Sequence, residues 1–298
     1  MKRQKFAIAK ATLHTFCGFV ILLLAGCLCP ETVIPETQPV TAVVGAFNAE
    51  VAPIYAELVE GRTIRIEGID FVTGTIAGRK VVVAWTGIGK VNAAMTTTLL
   101  LEHFRPREVI VTGIAGALNP KLGIGDVVIA AKTAQHDLGV WTNAGLENTG
   151  EINRLTGEKN PVYFTADEHL LLLVEEAAKH ITFDAVSTTA GERKPAARNG
   201  VIVTGDTFVM APAKRAELQK QLNADAVDME GAAIAQICHQ RRIPHIVIKA
   251  VSDSADENAM QDVNVFEKIA CKNSAIVVCK LVGLMETHPL TRAISIRE

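Results

Sequence analysis

Three acidic residues follow apolar segments that have the composition of buried strands. Glu50 comes after TAVVGAFNA, Glu230 after ADAVDM and Asp253 after HIVIKAVS. In α/β sheets, functional groups collect just past the carboxyl ends of such strands, and residues 246–251 are apolar enough to be buried on both faces. A single acid in this position is usually a helix cap or a solvated loop residue. Three of them at one edge of a sheet predict a site.

Carboxylate pairs suit one kind of chemistry in particular. Two carboxyl groups on opposite sides of an acetal-like carbon can cleave a glycosyl bond, one as acid to the leaving group and one as base to water. Purine ribosides fit this scheme, because the base leaves easily only after its imidazole ring nitrogen has been protonated.

Other chemistries have less support in the sequence. The segment TGIGKVNAA (86–94) places a glycine turn between a strand and a helix, but Asn92 replaces the third glycine of a dinucleotide fingerprint. The GxxxxGK[ST] and GxSxG motifs are absent, and the histidines are scattered without the spacing that zinc requires. We therefore expect no cofactor and no metal, and we interpret residues 86–94 as a turn whose backbone approaches a ligand.

Strand-like and helix-like segments alternate along the chain. Apolar runs predict strands at 41–46, 109–112, 127–131 and 201–204, with two or three more between 63 and 85, and helical periodicity predicts helices at 49–59, 91–103, 166–180, 211–222 and 263–285. The polar segment 135–161 is long enough to be a functional loop or a partner contact. This order predicts one domain over residues 41–298 with an α/β fold, in which a mixed, mostly parallel central sheet lies in a three-layer α-β-α arrangement.

The first forty residues have a different composition. Residues 1–26 combine four basic residues with a short apolar run, which is typical of a signal peptide. The ending Leu24-Ala25-Gly26-Cys27 resembles a bacterial lipobox, so Cys27 is a candidate for lipidation and the Pro-rich residues 27–40 for a tether. An ordinary cleaved signal with an incidental cysteine is the alternative. Both the lipobox and the ordinary cleaved signal predict export to the cell envelope. The lipobox also predicts that the protein contacts the membrane only through a lipid anchor.

Charge and cysteine usage narrow the possible partners. The formal net charge is −2 and no basic tract stands out, so nucleic acid is a poor candidate as a partner. Cys238, Cys271 and Cys279 form no CxxC pattern. We interpret them as buried apolar residues and not as a disulfide framework or a metal site.

Six motifs together resemble one enzyme family. They are GAFNAE (45–50), TGIGKVNAA (86–94), VTGIAGAL (111–118), VTGDTFVM (203–210), VDMEGAA (227–233) and KAVSDSAD (249–256). In this order and spacing they resemble the 5′-methylthioadenosine/S-adenosylhomocysteine nucleosidases, which have the nucleoside phosphorylase fold. The resemblance implies a small-molecule nucleoside as the partner, no cofactor and a homodimer.

The resemblance also implies a role for each matching residue. Asp253 would be the acid that protonates the purine at its seven-position nitrogen, with Ser252 orienting its carboxyl group. Glu50 would be the base that positions and deprotonates the attacking water. Glu230 would accept hydrogen bonds from the ribose hydroxyls, and Met229 would pack on the sugar.

Further matches concern the base and the water. Phe208 would stack on the purine, and the backbone of Val209 would bind its edge. Phe47 stands near the ribose, where the family often has Met. Ile114 stands near the water network, where bacterial members usually have Ser, and Lys249 replaces a common Arg.

Hydrolases and phosphorylases share this fold, so the distinction must be local. Phosphorylases have an arginine at the position that Val111 occupies here, and Glu50 lies where phosphate would have to approach. A carboxylate repels phosphate, which favours hydrolysis. We expect adenine release from 5′-methylthioadenosine, S-adenosylhomocysteine or both. The alternatives are a broader purine nucleoside hydrolase or phosphorylase, and a catalytically weak nucleoside-binding lipoprotein.

Overall fold

The computed structural model describes residues 40–188 and 191–287. The predicted signal peptide, Cys27 and nearly all of the tether lie outside the described residues. Within the described ranges no helix is both long and apolar enough to cross a membrane.

Eleven strands form one large sheet, and two short hairpins stand apart from it. The strands of the large sheet are β1 (Thr41–Gly45), β2 (Val59–Ile66), β3 (Ile69–Ile76), β4 (Arg79–Trp85), β5 (Glu108–Val111), β6 (Ile114–Ala117), β7 (Val127–Gln135), β10 (Tyr163–Thr165), β13 (Ala197–Thr204), β14 (Ala226–Asp228) and β15 (His245–Asp253). The hairpins are β8 (Gly139–Thr142) with β9 (Gly145–Asn148), and β11 (Val186–Thr188) with β12 (Gly191–Arg193).

Six helices accompany the strands within the described residues. They are α1 (Asn48–Ala56), α2 (Lys90–Phe104), α3 (Glu168–Lys179), α4 (Pro212–Leu222), α5 (Gly231–Arg241) and α6 (Ala259–Thr287). Helices and strands alternate over much of the chain, as the sequence predicts.

The sheet order is β10-β7-β13-β14-β6-β15-β5-β1-β4-β3-β2. The run β15-β5-β1-β4 is parallel, whereas β2 and β3 add an antiparallel edge. Strand β7 also pairs antiparallel with β15, so the part of the sheet from β7 to β15 closes on itself like a small barrel. Parallel pairs outnumber antiparallel pairs only narrowly, because this closure and the edge strands are antiparallel.

Two apolar layers lie on the two faces of the sheet. Alternate residues of β4 enter different cores, since Val82 and Ala84 pack with residues of α2 and α5 whereas Val81 and Val83 pack with residues of α1, α3 and α6. Successive side chains of a strand point to opposite faces. Residues 81–84 of β4 are therefore apolar on both faces, and this confirms the predicted three-layer α/β fold.

Strand β6 is the junction that brings distant segments together. Gly116 of β6 pairs with Val227 of β14 on one side and with Asp253 of β15 on the other. The end of β14 and the end of β15 therefore lie next to each other. The sequence analysis did not predict β6, because its four residues IAGA are mostly small, whereas the equally short β5 has the β-branched sequence EVIV.

The segment 135–161 differs from the prediction of a loop. It contains the β8–β9 hairpin and a single bridge between Ile152 and Lys159. The hairpin strands have mostly exposed or half-buried side chains, with Trp141 78% exposed, so they lack the apolar alternation that identifies a strand. Helix α6 also begins earlier than predicted, at Ala259.

The cysteines follow the prediction for the most part. Cys238, Cys271 and Cys279 are free thiols, the first two buried and the third half-buried. Burial raises the pKa of all three thiols, and that of Cys271 and Cys279 to about 12. They are therefore packing residues without thiolate character.

Candidate active site

A cavity of about 390 Å³ lies at the ends of β1, β14 and β15. It is lined by all nine residues that the sequence analysis assigns to the site, namely Phe47, Glu50, Ile114, Phe208, Val209, Met229, Glu230, Ser252 and Asp253. The lining also includes the first turns of α6 and residues from the turn before α2. The predicted acid and the predicted base thus share one cavity.

Glu50 is held in the first turn of α1 by the backbone of two other segments. One carboxylate oxygen accepts a hydrogen bond from the Ala46 N–H group, and the other accepts from the Ile114 N–H group at 2.8 Å. Gly113 has a φ of 143°, and a Cβ atom there would lie 2.0 Å from the Glu50 Oε1 atom. A glycine is therefore required beneath this carboxylate.

Lys249 connects three carboxylates at the bottom of the site. Its Nζ atom lies 3.5 Å from Glu50 Oε1, 3.4 Å from Asp228 Oδ2 and 3.6 Å from Glu230 Oε2. The side chain is fully buried. Burial alone would lower the pKa of this amine, but the three carboxylates outweigh burial and raise the pKa above its usual value.

Glu230 is the N-cap residue of α5, so the turn between β14 and α5 positions it. Its Oε1 atom accepts a hydrogen bond from the Gly89 N–H group at 2.9 Å. Burial raises the pKa of Glu230 to about 7. The positive charge of Lys249 works against this rise, whereas the nearby carboxylates of Asp228 and Glu50 add to it.

Asp228 fixes the turn that carries Glu230. Its Oδ2 atom accepts from the Gly231 N–H group at 2.9 Å, and its Oδ1 atom accepts from the Thr204 hydroxyl at 2.5 Å. The same hydroxyl oxygen accepts from the Ala232 N–H group at 2.8 Å. The end of β14 and the start of α5 are therefore tied to the end of β13.

Asp253 ends β15 and is buried. Ser252 donates its hydroxyl to Asp253 Oδ2 at 2.8 Å, and the Ala255 N–H group donates to Oδ1 at 2.9 Å. Burial raises the pKa of this carboxyl group even though both hydrogen bonds lower it. An aspartate with a raised pKa is suited to carry a proton to a leaving group.

Apolar side chains form the rest of the wall. Val209 is buried, and Phe208 is 41% exposed at the cavity. Met229 lies between the two acids of the β14–α5 turn in sequence and lines the same space. An apolar cavity with a few converging carboxylates is the usual form of a small-molecule site.

Several lining residues were missed by the sequence analysis. Met260, Val263 and Glu267 come from α6, and Ile88 comes from the glycine turn before α2. Met260, Val263 and Glu267 lie at i, i+3 and i+7 on one helix, a spacing that places them on one face. That spacing could have suggested a shared surface, although nothing local shows that this surface faces the site.

A metal has no evident place among the described residues. No group of three or more His, Cys, Asp or Glu side chains within them has the geometry to hold an ion. The polar groups at the cavity are its carboxyl groups and backbone donors, with Lys249 behind them.

Comparison with known proteins agrees with this geometry. The sequence profile of the phosphorylase superfamily matches residues 40–283. A 5′-methylthioadenosine/S-adenosylhomocysteine nucleosidase of Shewanella loihica is 38% identical over 241 residues, which cover 80% of this chain and 97% of that protein. The corresponding protein of Bacillus thuringiensis is 35% identical over 242 residues, covering 81% and 97%.

Two solved structures are also similar to this chain. The nucleosidase of Neisseria meningitidis in complex with methylthio-immucillin-A has a TM-score of 0.70 and 36% identity, covering 83% of this chain and all of that one. The futalosine hydrolase of Helicobacter pylori has a TM-score of 0.71 and 28% identity, with coverages of 82% and 97%. The chain therefore belongs to the 5′-methylthioadenosine/S-adenosylhomocysteine nucleosidase family of the phosphorylase superfamily.

Proposed function

We propose that this protein hydrolyses the N-glycosyl bond of 5′-methylthioadenosine, S-adenosylhomocysteine or both and releases adenine. The observation that carries the proposal is that Asp253 and Glu50 line the same cavity in different environments. Asp253 is a buried carboxyl group whose pKa is raised. Glu50 receives two backbone N–H groups and faces the ammonium of Lys249, so its oxygens can position and deprotonate a water molecule.

The proposed reaction uses both carboxyl groups in one step. Asp253 donates its proton to the seven-position nitrogen of the purine, and the bond between base and ribose breaks. Glu50 takes a proton from water, and the water oxygen bonds to the sugar carbon. Glu230 accepts hydrogen bonds from the ribose hydroxyls, Met229 and Phe47 pack on the sugar, and Phe208 stacks on the base.

Water is favoured over phosphate as the attacking group by the charge of the lining. Among the described residues, the lining includes the acids Glu50, Asp228, Glu230, Asp253 and Glu267, and no Lys, Arg or His. Lys249 lies behind three of these carboxylates and is already surrounded by negative charge. Phosphate would therefore meet repulsion here.

Release of the free base in phosphate-free buffer tests the proposal. The substrates are 5′-methylthioadenosine, S-adenosylhomocysteine and adenosine, which contain adenine, and inosine, which contains hypoxanthine, together with futalosine because a futalosine hydrolase has a similar structure. We expect adenine from the two thio-substituted adenosines without phosphate. Release only after phosphate is added would establish a phosphorylase, and binding of adenine without turnover would establish a nucleoside-binding protein.

A homodimer is the proposed assembly. The exposed residues Ile88, Val91 and Met95, exposed by 54%, 78% and 52%, follow one another at i, i+3 and i+7 from the turn into α2. Ile88 also lines the cavity, so this apolar stripe starts at the mouth of the site. A second copy of the chain would cover the stripe and close the cavity at that side.

Light scattering after size-exclusion chromatography measures the assembly. We expect twice the chain mass for the wild type and a monomer for Val91→Asp, because the charge would lie in the covered stripe. Leu172→Asp is the matched control, since Leu172 is also apolar and is 59% exposed but lies on α3. A monomeric wild type would contradict the proposed dimer.

We also propose that the protein is exported and held in the cell envelope by a lipid on Cys27. The support is the sequence alone, namely the basic and apolar segment 1–26 and the lipobox-like residues that end it. The Pro-rich residues that follow would keep the enzyme domain away from the membrane surface.

A further inference from the structure

Two separate segments form opposite walls of the cavity. The turn 87–89 leads into α2, and its Gly89 N–H group holds Glu230 on the proposed sugar side. The segment 205–209 follows β13 and carries Phe208 and Val209 on the proposed base side. The distance between these walls determines whether a nucleoside can contact both.

Asp206 links the two walls directly. Its Oδ1 atom accepts from the Lys90 N–H group, the first of α2, at 2.7 Å. The N-cap residue Gly89 has no side chain to cap this helix, so a carboxylate from a distant segment does so. Gly89 has a φ of 93°, and a Cβ atom there would lie 3.0 Å from the same Oδ1 atom.

Asp137 completes the link from a third segment, just after β7. Its Oδ1 atom lies 2.6 Å from the Lys90 Nζ atom, and its Oδ2 atom accepts from the Asp206 N–H group at 3.0 Å. Burial would raise the pKa of Asp137, but the contacts with Lys90 and Asp206 outweigh it and lower that pKa. Lys90, Asp137 and Asp206 therefore form a closed triad.

The buried ring of His136 packs against Gly205, the residue before Asp206. A Cβ atom on Gly205 would lie 2.3 Å from the Cε1 and Nε2 atoms of His136, so the backbone at Gly205 lies directly on this buried ring. The segment that enters the base side is therefore held between the His136 ring and the start of α2.

We propose that Lys90, Asp137 and Asp206 are positioning residues that set the affinity of the site for the nucleobase. None of the three lines the cavity among the described residues, so they act through Phe208, Val209 and Gly89. The triad holds residues 207–209 at a fixed position relative to the start of α2. This inference rests on the proposed function, because it assumes that residues 207–209 bind the nucleobase.

The triad could instead serve stability alone, as a cap for α2. The two roles differ in what they change. A stability role lowers the unfolding temperature and leaves KM and the adenine dissociation constant of the folded protein unchanged. A positioning role weakens the binding of free adenine, which contacts only the base side, and raises KM with little change in kcat.

Variants of Asp206 and Lys90 test the positioning role. For Asp206→Ala we expect KM for 5′-methylthioadenosine and the dissociation constant of adenine to rise about tenfold, with kcat within about threefold of the wild type. Asp206→Asn should recover most of the loss, because its amide oxygen can still accept from the Lys90 N–H group. Lys90→Met keeps that N–H group and removes the side-chain contacts with Asp137 at 2.6 Å and with the Gln135 Oε1 atom at 3.0 Å, so we expect a smaller rise of about threefold.

Asp184→Ala is the matched control. It removes a carboxylate that lies 2.7 Å from Lys272, a contact as short as that between Lys90 and Asp137 but outside the cavity lining. We expect unchanged KM and adenine binding for this variant.

Adenine titration and thermal unfolding are measured for every variant. If Asp206→Ala binds adenine within twofold of the wild type, the positioning role is wrong. If Asp206→Ala does not fold, Lys90→Met decides in the same way. A wild type that binds adenine but does not release it from substrates would contradict the proposed function, and the adenine titrations would still test the triad.

Discussion

At the scale of single residues, the two proposed catalytic acids differ in their partners. Asp253 has one hydroxyl and one N–H partner and a pKa raised by burial. Glu50 is held by two N–H groups from separate segments and by Lys249. The proposed roles of one carboxyl group as acid and the other as base rest on these surroundings and not on the residue types.

Asp253→Asn tests the proposed acid. The amide has nearly the same size but cannot transfer a proton, so we expect kcat to fall by about 10² to 10⁴-fold while adenine binding is retained. Asp70→Asn, which affects an exposed pair with Arg65, is the control. Turnover of Asp253→Asn at the rate of the wild type would remove this residue from its role.

The pH dependence of ligand binding tests Glu230. Since its pKa is raised to about 7, the side chain is protonated below that pH and ionised above it. The ionised form accepts hydrogen bonds with both oxygens, whereas the protonated form has an O–H donor on one of them and is the weaker acceptor for two hydroxyl groups. We therefore expect the affinity for ribose-containing ligands to fall as the pH drops through about 7. Glu230→Gln should lack this dependence, and free adenine should not show it.

A pH-independent affinity for the nucleoside in the wild type would contradict this role of Glu230. Loss of affinity for adenine over the same pH range would instead assign the titration to the base side. The affinities for the nucleoside and for free adenine are measured on the same protein over the same pH range.

At the scale of elements, one end of the central strands forms the cavity and the opposite end holds a buried ion pair. β1 ends at the cavity, whereas it begins beside a buried ion pair, in which Arg79 at the start of β4 lies 2.8 Å from Glu108 at the start of β5. Arg79 also donates to the Thr41 hydroxyl at 2.6 Å. This pair joins three neighbouring strands at the end that is remote from the site.

Arg79→Ala should therefore affect stability and not binding. Removing the guanidinium leaves Glu108 buried without its cation, which costs about 3 to 5 kcal/mol of unfolding free energy. Arg65→Ala, in an exposed pair with Asp70, should cost only about 0 to 1 kcal/mol. Urea unfolding measures both values. A large change in KM for Arg79→Ala would show that the two ends of the sheet are not independent.

At the scale of the whole molecule, the described residues that line the cavity run from Ala46 to Glu267. We expect the proposed anchor to determine where the enzyme lies without changing how it works.

Cys27→Ala separates location from activity. If Cys27 carries the lipid, we expect the wild type in the membrane fraction and the variant in the soluble fraction, with equal kcat/KM for both. An inhibitor of lipoprotein processing should also make the precursor accumulate. If the wild type is found entirely in the soluble fraction, Cys27 is not lipidated and residues 1–26 are an ordinary cleaved signal.

The sequence by itself determined the fold class, and it predicted nine residues that line one cavity. Strands between two helical layers are mostly apolar, so their pattern is visible without a structure, and five of the six motifs contain all nine predicted lining residues. Their individual roles stay predictions. The helices and the long strands were also predictable, because periodicity is a local property.

Only the tertiary structure decided how these residues meet. Gly116 of the short strand β6 joins the ends of β14 and β15, and Lys249 lies among carboxylates from three separate elements. The link from Asp206 to the start of α2 spans 116 residues of sequence. Such contacts depend on which strands become neighbours, and spacing along the chain carries no information about that.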